Sequence, residues 1–352
     1  MGVVSTTASV RTCRLCQGPL SAPVASFPAV PVAGCAALEV AAPLSLCRCA
    51  GCGLVQLSEP VESFPATAAG APQLLPAPLA KAINKSLPPH ARVAMIGGQE
   101  EQTAGHGRPA HTVLALDVFD TAADPAVLFA AIDRAADLHT RLIVQTPDLR
   151  RMVEHRRYAA VRHVRQSYYD AASMSRLLDR FGWSARGAVS LAGGHLVVWA
   201  ARQEYRDANW VLPIAGSLAA AVPELALRGF AAAWQEACGK TRQMIESLRT
   251  SGETIAAYGH PAEVVAALGP AGLQAGWLEA IYDSRTPAAA ASRANFDQPG
   301  VLLVADPDEE AALVRGVSRL KRAARTFFSL STLPLQLIEF ASPTHPHYPE
   351  AA

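Results

Sequence analysis

Cys13-Arg14-Leu15-Cys16 and Cys49-Ala50-Gly51-Cys52 decide how this chain is read, and the second pair runs straight into Gly53-Leu54-Val55-Gln56-Leu57. A Cys-x-x-Cys turn presents two thiolates to one ion. Two such knuckles supply the four soft ligands of a tetrahedral Zn²⁺ site. A closed shell of four thiolates leaves no position for water, so a metal at Cys13, Cys16, Cys49 and Cys52 is expected to hold the fold rather than do chemistry. Free or disulfide-bonded cysteines are the competing reading. Cys35 and Cys47 lie close enough in sequence to replace a ligand. Cys238 falls inside a helical pattern, as a small core residue would.

Bulk composition narrows the function classes. At 352 residues the chain has room for two or three domains. Its 31 basic and 30 acidic residues leave a net charge of +1, without a basic stripe or a charged tail. Neither nucleic acid nor a membrane surface is favoured as a partner. Half of the residues are hydrophobic, much of that alanine, and no run of about 18 apolar residues suggests a membrane span. The opening MGVVSTTASVRT lacks the apolar core of a signal peptide. Cysteines in metal spacing fit a reducing compartment, so a cytoplasmic location is expected.

The pattern outward from the knuckles is α/β. Residues 1–60 read as the cysteine module and 61–82, rich in Pro and Ala, as a linker. Within 83–205, strands are expected at Arg92–Ile96, Thr112–Val118 and Arg141–Gln145, and a strand pair at Ala188–Leu191 and His195–Ala200. Helices are expected at Pro125–Leu138 and Ser173–Phe181. Residues 206–250 carry a long connecting helix, with Leu225, Phe230, Trp234, Cys238, Met244, Ile245 and Leu248 at helical intervals. A second α/β unit fills 251–342: strand Thr254–Tyr258, helix Pro261–Leu268, strands Leu278–Tyr282 and Val301–Ala305, helix Asp308–Lys321 and a strand near Arg325–Leu330. Alternating strands and helices imply a mostly parallel sheet in each unit. Residues 343–352 read as a disordered tail.

Two Cys-x-x-Cys pairs ending in CGLVQL, a nucleotide-fold domain and a second domain opening on Tyr258-Gly259 together resemble the sugar-nucleotide C-methyltransferases. Arg162–Tyr169, Gly193-Gly194-His195-Leu196 and Ile255–Gly259 are further landmarks of the likeness. The resemblance implies a small zinc module followed by two Rossmann-like α/β domains. The activity it implies is transfer of a methyl group from S-adenosylmethionine to a carbon of an NDP-linked deoxysugar, a small-molecule substrate.

The chain departs from that pattern where the chemistry sits. A methyltransferase of this class needs a Gly-rich turn after its first strand and an acidic residue about 20 residues on to bind the ribose. Here Gly97-Gly98 is a weak remnant of such a turn. Residues 99–111 leave room for one crossover and no further strand, so the first sheet is expected to be truncated. The family's Tyr-His-Glu-His segment reads Arg162-His163-Val164-Arg165, and its general-base position holds Arg165, which stays protonated. Arg150, Arg151, His155, Arg156, Arg157, Arg162, His163 and Arg165 crowd together, as a solvated helix face or as an anion pocket. The Lys-Gln-Gly segment that follows the family's counterpart of Asp283 is absent.

The expectation is therefore a divergent relative that has lost methyl transfer. It would perform acid/base chemistry without S-adenosylmethionine, such as epimerisation, cyclisation or elimination, on an anionic pathway intermediate in an inter-domain cleft. His163, Tyr168, Tyr169 and His260 are the acid/base candidates. Arg162, Arg165, His195, Tyr258 and Asp283 are the candidate substrate contacts, and Gly97 and Gly98 mark any residual cofactor loop. An active C-methyltransferase and a non-catalytic partner protein remain as alternatives.

Overall fold

A computed structural model describes residues 12–31, 41–59, 77–86, 90–97, 108–191, 194–205, 220–259, 261–273, 275–283, 299–305, 307–315, 318, 320, 323–330 and 333–339. In chain order, β1 (Ala25–Pro31), β2 (Ala41–Arg48) and β3 (Val55–Leu57) accompany the cysteines. Then come α1 (Ala77–Ser86), β4 (Val93–Ile96), β5 (Thr112–Leu116), α2 (Pro125–Ala135), β6 (Arg141–Pro147), α3 (Leu149–Glu154), β7 (Ser167–Tyr168), α4 (Ala171–Arg180), β8 (Trp183–Ser190) and β9 (His195–Arg202). The remainder holds α5 (Glu224–Thr250), β10 (Ile255–Tyr258), α6 (Pro261–Leu268), β11 (Ile281–Tyr282), β12 (Val301–Val304), α7 (Pro307–Val314), β13 (Thr326–Ser329) and β14 (Gln336–Leu337). The fold is mixed α/β, with three sheets among the described residues. No helix among the described residues is long and apolar enough to cross a membrane.

Two compact units divide the chain. The first comprises Met1–Ser26, Pro43–His155 and Ala160–Ala231; the second comprises Phe27–Ala42, Arg156–Ala159 and Ala232–Ala352. The cysteine module expected over 1–60 is therefore not a unit of its own. Cys13, Leu15, Cys49, Cys52 and Leu54 share one core with β5, β6 and β9. Residues 77–82, expected as linker, form the first turns of α1.

The first unit is built on a five-stranded sheet of order β4-β5-β6-β9-β8. β4, β5 and β6 are parallel, and β9 and β8 return antiparallel. Val93 lies beside Thr112 and Ile96 beside Ala115; residues 98–107, between these strands, lie outside the described residues. Among the described residues β4 has no neighbour on its other edge. β5 is buried at all five positions because both faces of the sheet are covered. Phe129 and Ile132 of α2 and Met174, Leu177 and Leu178 of α4 cover one face; Ile83 of α1 packs on the other with Leu114, Ile143 and Trp199.

Local chemistry sets the helix boundaries. Asp124 caps α2 through the Ala126 N–H, with Pro125 at the first helical position. The helix ends at Ala135, short of the expected Leu138, because Asp137 and Thr140 form a side-chain-bonded turn. A reciprocal cap between Asp170 and Ser173 starts α4. Between β8 and β9 the register shifts at Gly187, where the Trp199 ring lies so close that a Cβ would come within 2.2 Å of it.

In the second unit β11, β10, β12 and β13 are parallel and β14 closes the edge antiparallel, a strand not anticipated from the sequence. Ala256, Tyr258, Leu302, Val304, Leu313 and Phe327 form its core. The expected Asp308–Lys321 helix is described as Pro307–Val314. Trp234 of α5 stacks on Tyr158 with ring centroids 5.5 Å apart, and Phe27 packs against Trp234 at a 47° tilt with centroids 4.8 Å apart. Cys238 is buried, and burial pushes its thiol up to about 12. Leu225, assigned to the apolar stripe of this helix, is instead 80% exposed.

Candidate functional site

Two knuckle turns bring the four cysteines together. Cys13 N–H bonds to the Gly18 carbonyl and Gln17 N–H to the Cys13 carbonyl; Cys49 with Leu54, and Gly53 with Cys49, close the second turn. Gln17 and Gly53 take the left-handed backbone that such tight reversals need. The Sγ atoms of Cys13, Cys16, Cys49 and Cys52 all lie within 4.8 Å of one another. The Cys13–Cys52 and Cys16–Cys49 pairs, each joining one knuckle to the other, are both 3.4 Å apart. Ligands about 2.3 Å from a tetrahedral ion stand about 3.8 Å apart, so the four thiols can bind a metal. The hydrogen bond from Cys52 pulls the Cys13 thiol down to about 5 and drives Cys52 upward. Cys47 sits in β2 opposite Gln56, outside this group; Cys35 lies outside the described residues.

The segment expected to carry catalysis is tied to this centre. Ser167 and Tyr168 form a strand that pairs antiparallel with β3, Tyr168 beside Val55 and Ser167 beside Gln56. The Tyr168 hydroxyl donates to the Arg162 carbonyl and accepts from the Arg162 N–H, both at 3.1 Å. Burial pushes the phenols of Tyr168 and Tyr169 upward. His163, Tyr168 and Tyr169 are all closed to solvent. In this arrangement both tyrosine side chains pack inside the first unit.

A polar cluster forms instead at the C-terminal ends of β5 and β6, the edge where parallel α/β sheets place ligands. Asp117 follows β5 with a left-handed backbone (φ 52°), a conformation that aspartate tolerates better than most residues. Gln145 Nε2 donates to Asp117 Oδ2 at 2.9 Å, and the Asp117 N–H bonds to the Gln145 carbonyl at 2.8 Å. His195, the first residue of β9, places Nε2 4.0 Å from the same Asp117 Oδ2. The His195 and Asp117 side chains remain 17% and 18% exposed, enough to meet a ligand. Asp117 Oδ1 and Gln145 Oε1 are buried with no hydrogen-bond partner among the described residues.

Three residues further on, Asp120 Oδ2 faces Arg165 Nε at 3.5 Å. Desolvation by burial raises Asp120 to about 6; Arg165 opposes the shift and the charge of Asp117 adds to it. Arg165, expected to hold substrate, is thus committed to a buried carboxylate. Several of the other basic residues have partners of their own. Arg150 pairs with Glu154 and bonds to the Ala220 carbonyl, Arg151 meets His155, and Arg156 acts on Glu236 within the second unit.

Gly97 has φ 95°, yet a Cβ there would come within 2.0 Å of Val118 Cγ1. Its lack of a side chain is used by the packing of Val118. Residues 98–107, over which a cofactor loop would continue, lie outside the described residues. In the second unit, Tyr258 is part of the core, at 1% exposure, while Asp283 is half-buried after β11. Gly98 and His260 lie outside the described residues. Of the sequence candidates, the structure thus brings His195 and Arg165 to the β5 edge and adds Asp117, Asp120 and Gln145, which the sequence reading missed. The available signal was the buried stretch TVLALDVFD, which ends in two acids at a strand terminus.

No protein-family model matches this chain, and no curated protein matches it.

Proposed function

We propose that this protein is a zinc-pinned, methyltransferase-like body that has lost methyl transfer. It uses the β5 edge for acid/base chemistry on a carbonyl-bearing small molecule of sugar or natural-product biosynthesis. The reading is carried by one observation: His195 facing Asp117, with Gln145 on the same carboxylate, at the C-terminal ends of parallel strands. An imidazole beside a carboxylate can take a proton near neutral pH, with the carboxylate stabilising the imidazolium and Gln145 holding the carboxylate in place. The sheet order supports the lineage, since β4 pairs directly with β5 and a ribose-binding strand would have to lie beyond β4. A tetrathiolate set and a buried centre support zinc in a structural role.

The resemblance directs the first test to an NDP-linked 4-keto-6-deoxysugar in D2O, followed by NMR. The wild type is expected to place deuterium on the carbon beside the carbonyl; His195→Ala and Asp117→Asn are expected not to. Absence of exchange by the wild type overturns proton abstraction from this substrate. Calorimetry with S-adenosylmethionine is the second test, and micromolar binding overturns the loss of the methyl donor. The burial of His163, Tyr168 and Tyr169 favours a second reading, a non-catalytic partner protein. That reading requires the double variant His195→Ala/Asp117→Asn to rescue a gene deletion.

A further inference from the structure

Arg14 stands between Cys13 and Cys16, so the knuckle turn fixes where its guanidinium points. Its Nη1 donates to the Gln166 carbonyl at 3.1 Å and its Nη2 to Gln166 Oε1 at 2.9 Å. The Arg14 N–H donates to Gln56 Oε1 at 2.9 Å, and the Leu57 N–H donates to the Gln166 carbonyl at 3.1 Å. Gln166 passes the constraint on. Its N–H and that of Ser167 both bond to the Asp120 carbonyl, at 2.6 and 3.0 Å. Arg165, the preceding residue, holds the Asp120 carboxylate. At the other knuckle, Arg176 of α4 donates to the Cys52 carbonyl at 2.6 Å. A short hydrogen-bonded path therefore runs from the cysteines to the β5 edge, wholly within the first unit.

We infer that the four-cysteine centre is a positioning element for the β5 site: bound metal fixes Arg14, Arg14 clamps Gln166, and Gln166 sets Asp120 and Arg165. A two-residue strand has only two ladder positions, so a metal at the knuckle adds to the constraint on the segment 165–168. β5 and β6 do not depend on it, being held by ladders and by helices on both faces. Metal loss is then a local event that disables the edge while the sheet persists. The functional consequence rests on the acid/base reading above; the physical coupling does not.

Site-resolved amide hydrogen exchange on the full chain tests this, with metal content measured in parallel. Chelation is expected to raise exchange at Gln166, Ser167 and Tyr168 about tenfold or more, with Val113–Ala115 and Leu142–Val144 changed by less than about twofold. Gln166→Ala, which touches no cysteine, is expected to keep full metal content and to reproduce the rise at Ser167 and Tyr168. A uniform rise across the sheet on chelation overturns the inference, because the metal would then add global stability only. Unchanged exchange at residues 166–168 overturns it as well. If the exchange pattern holds and the wild type places no deuterium on the keto-sugar, the coupling stands and the proposed chemistry falls.

Discussion

Arg14 and Gln166, 152 positions apart in sequence, are joined by two hydrogen bonds, one to the main-chain oxygen of Gln166 and one to its side-chain oxygen. The fork geometry of guanidinium suits such a paired contact, which a lysine could not reproduce. This link makes the cysteine knuckles part of the first α/β unit. It also places Asp120 and Arg165 two contacts away from the four-cysteine cluster.

Metal removal is expected to act locally. Cys16→Ser, or chelation of the wild type, should free the knuckles and residues 165–168 while changing the unfolding free energy of the β5–β6 sheet by less than about 0.5 kcal/mol. Denaturant titration with and without chelator, beside metal analysis, checks this. A loss of about 3 kcal/mol or more would show that the metal holds the whole unit.

Asp120 should leave a signature in the pH dependence of stability. Its folded-state value is raised from 3.8 to about 6, so the folded chain binds this proton more tightly than the unfolded chain does. Its stabilising contribution is therefore complete below about pH 4 and is lost as pH rises through about 6, amounting to about 3 kcal/mol. Asp120→Asn should remove this slope between about pH 4 and 6 in urea unfolding. An unchanged slope would place the titration elsewhere.

Tyr168→Phe separates scaffold from chemistry. It removes the hydroxyl that bonds to both the Arg162 N–H and the Arg162 carbonyl, and should cost about 1–3 kcal/mol because buried main-chain groups lose their partner. Deuterium incorporation into the keto-sugar should persist. Loss of incorporation at unchanged stability would restore Tyr168 as a proton donor.

A pair of glycines gives opposite signs. Gly187→Ala drives a methyl into the Trp199 ring and should destabilise by about 1–3 kcal/mol. Gly239→Ala, on the exposed side of α5 with open space around it, should stabilise by about 0.5–1 kcal/mol. Thermal unfolding of the two variants distinguishes them.

Asp170→Ala tests the start of α4. Asp170 Oδ1 accepts from the Ser173 N–H and Oδ2 from the Val222 N–H, both buried. Losing the cap and leaving a second donor unpaired should cost about 2 kcal/mol or more. A change below about 0.5 kcal/mol in denaturant titration would show that neither bond matters.

Much of this architecture was legible because its signals are local. The cysteine spacing carries the four-thiol cluster, since knuckle geometry depends on a few consecutive residues. Buried runs such as Thr112–Leu116 and Val301–Val304 announce strands. Asp117, Asp120 and Gln145 were not legible as a group. Each is a single polar residue near a strand end, and only the parallel pairing of β5 with β6 sets Asp117 against Gln145.

The segment 162–169 marks the boundary most clearly. Its residue types alone suggested chemistry. Its role as a strand on β3 depends on a partner more than a hundred residues away, and a two-residue strand has no periodicity to read. The sequence by itself determined the four-cysteine set and the α/β alternation, because each is a matter of spacing along the chain. Tertiary structure alone decided that Tyr168 and Tyr169 are buried, that Arg165 is spent on Asp120, and that His195 meets Asp117. Those are contacts between distant residues, fixed by which strand lies beside which.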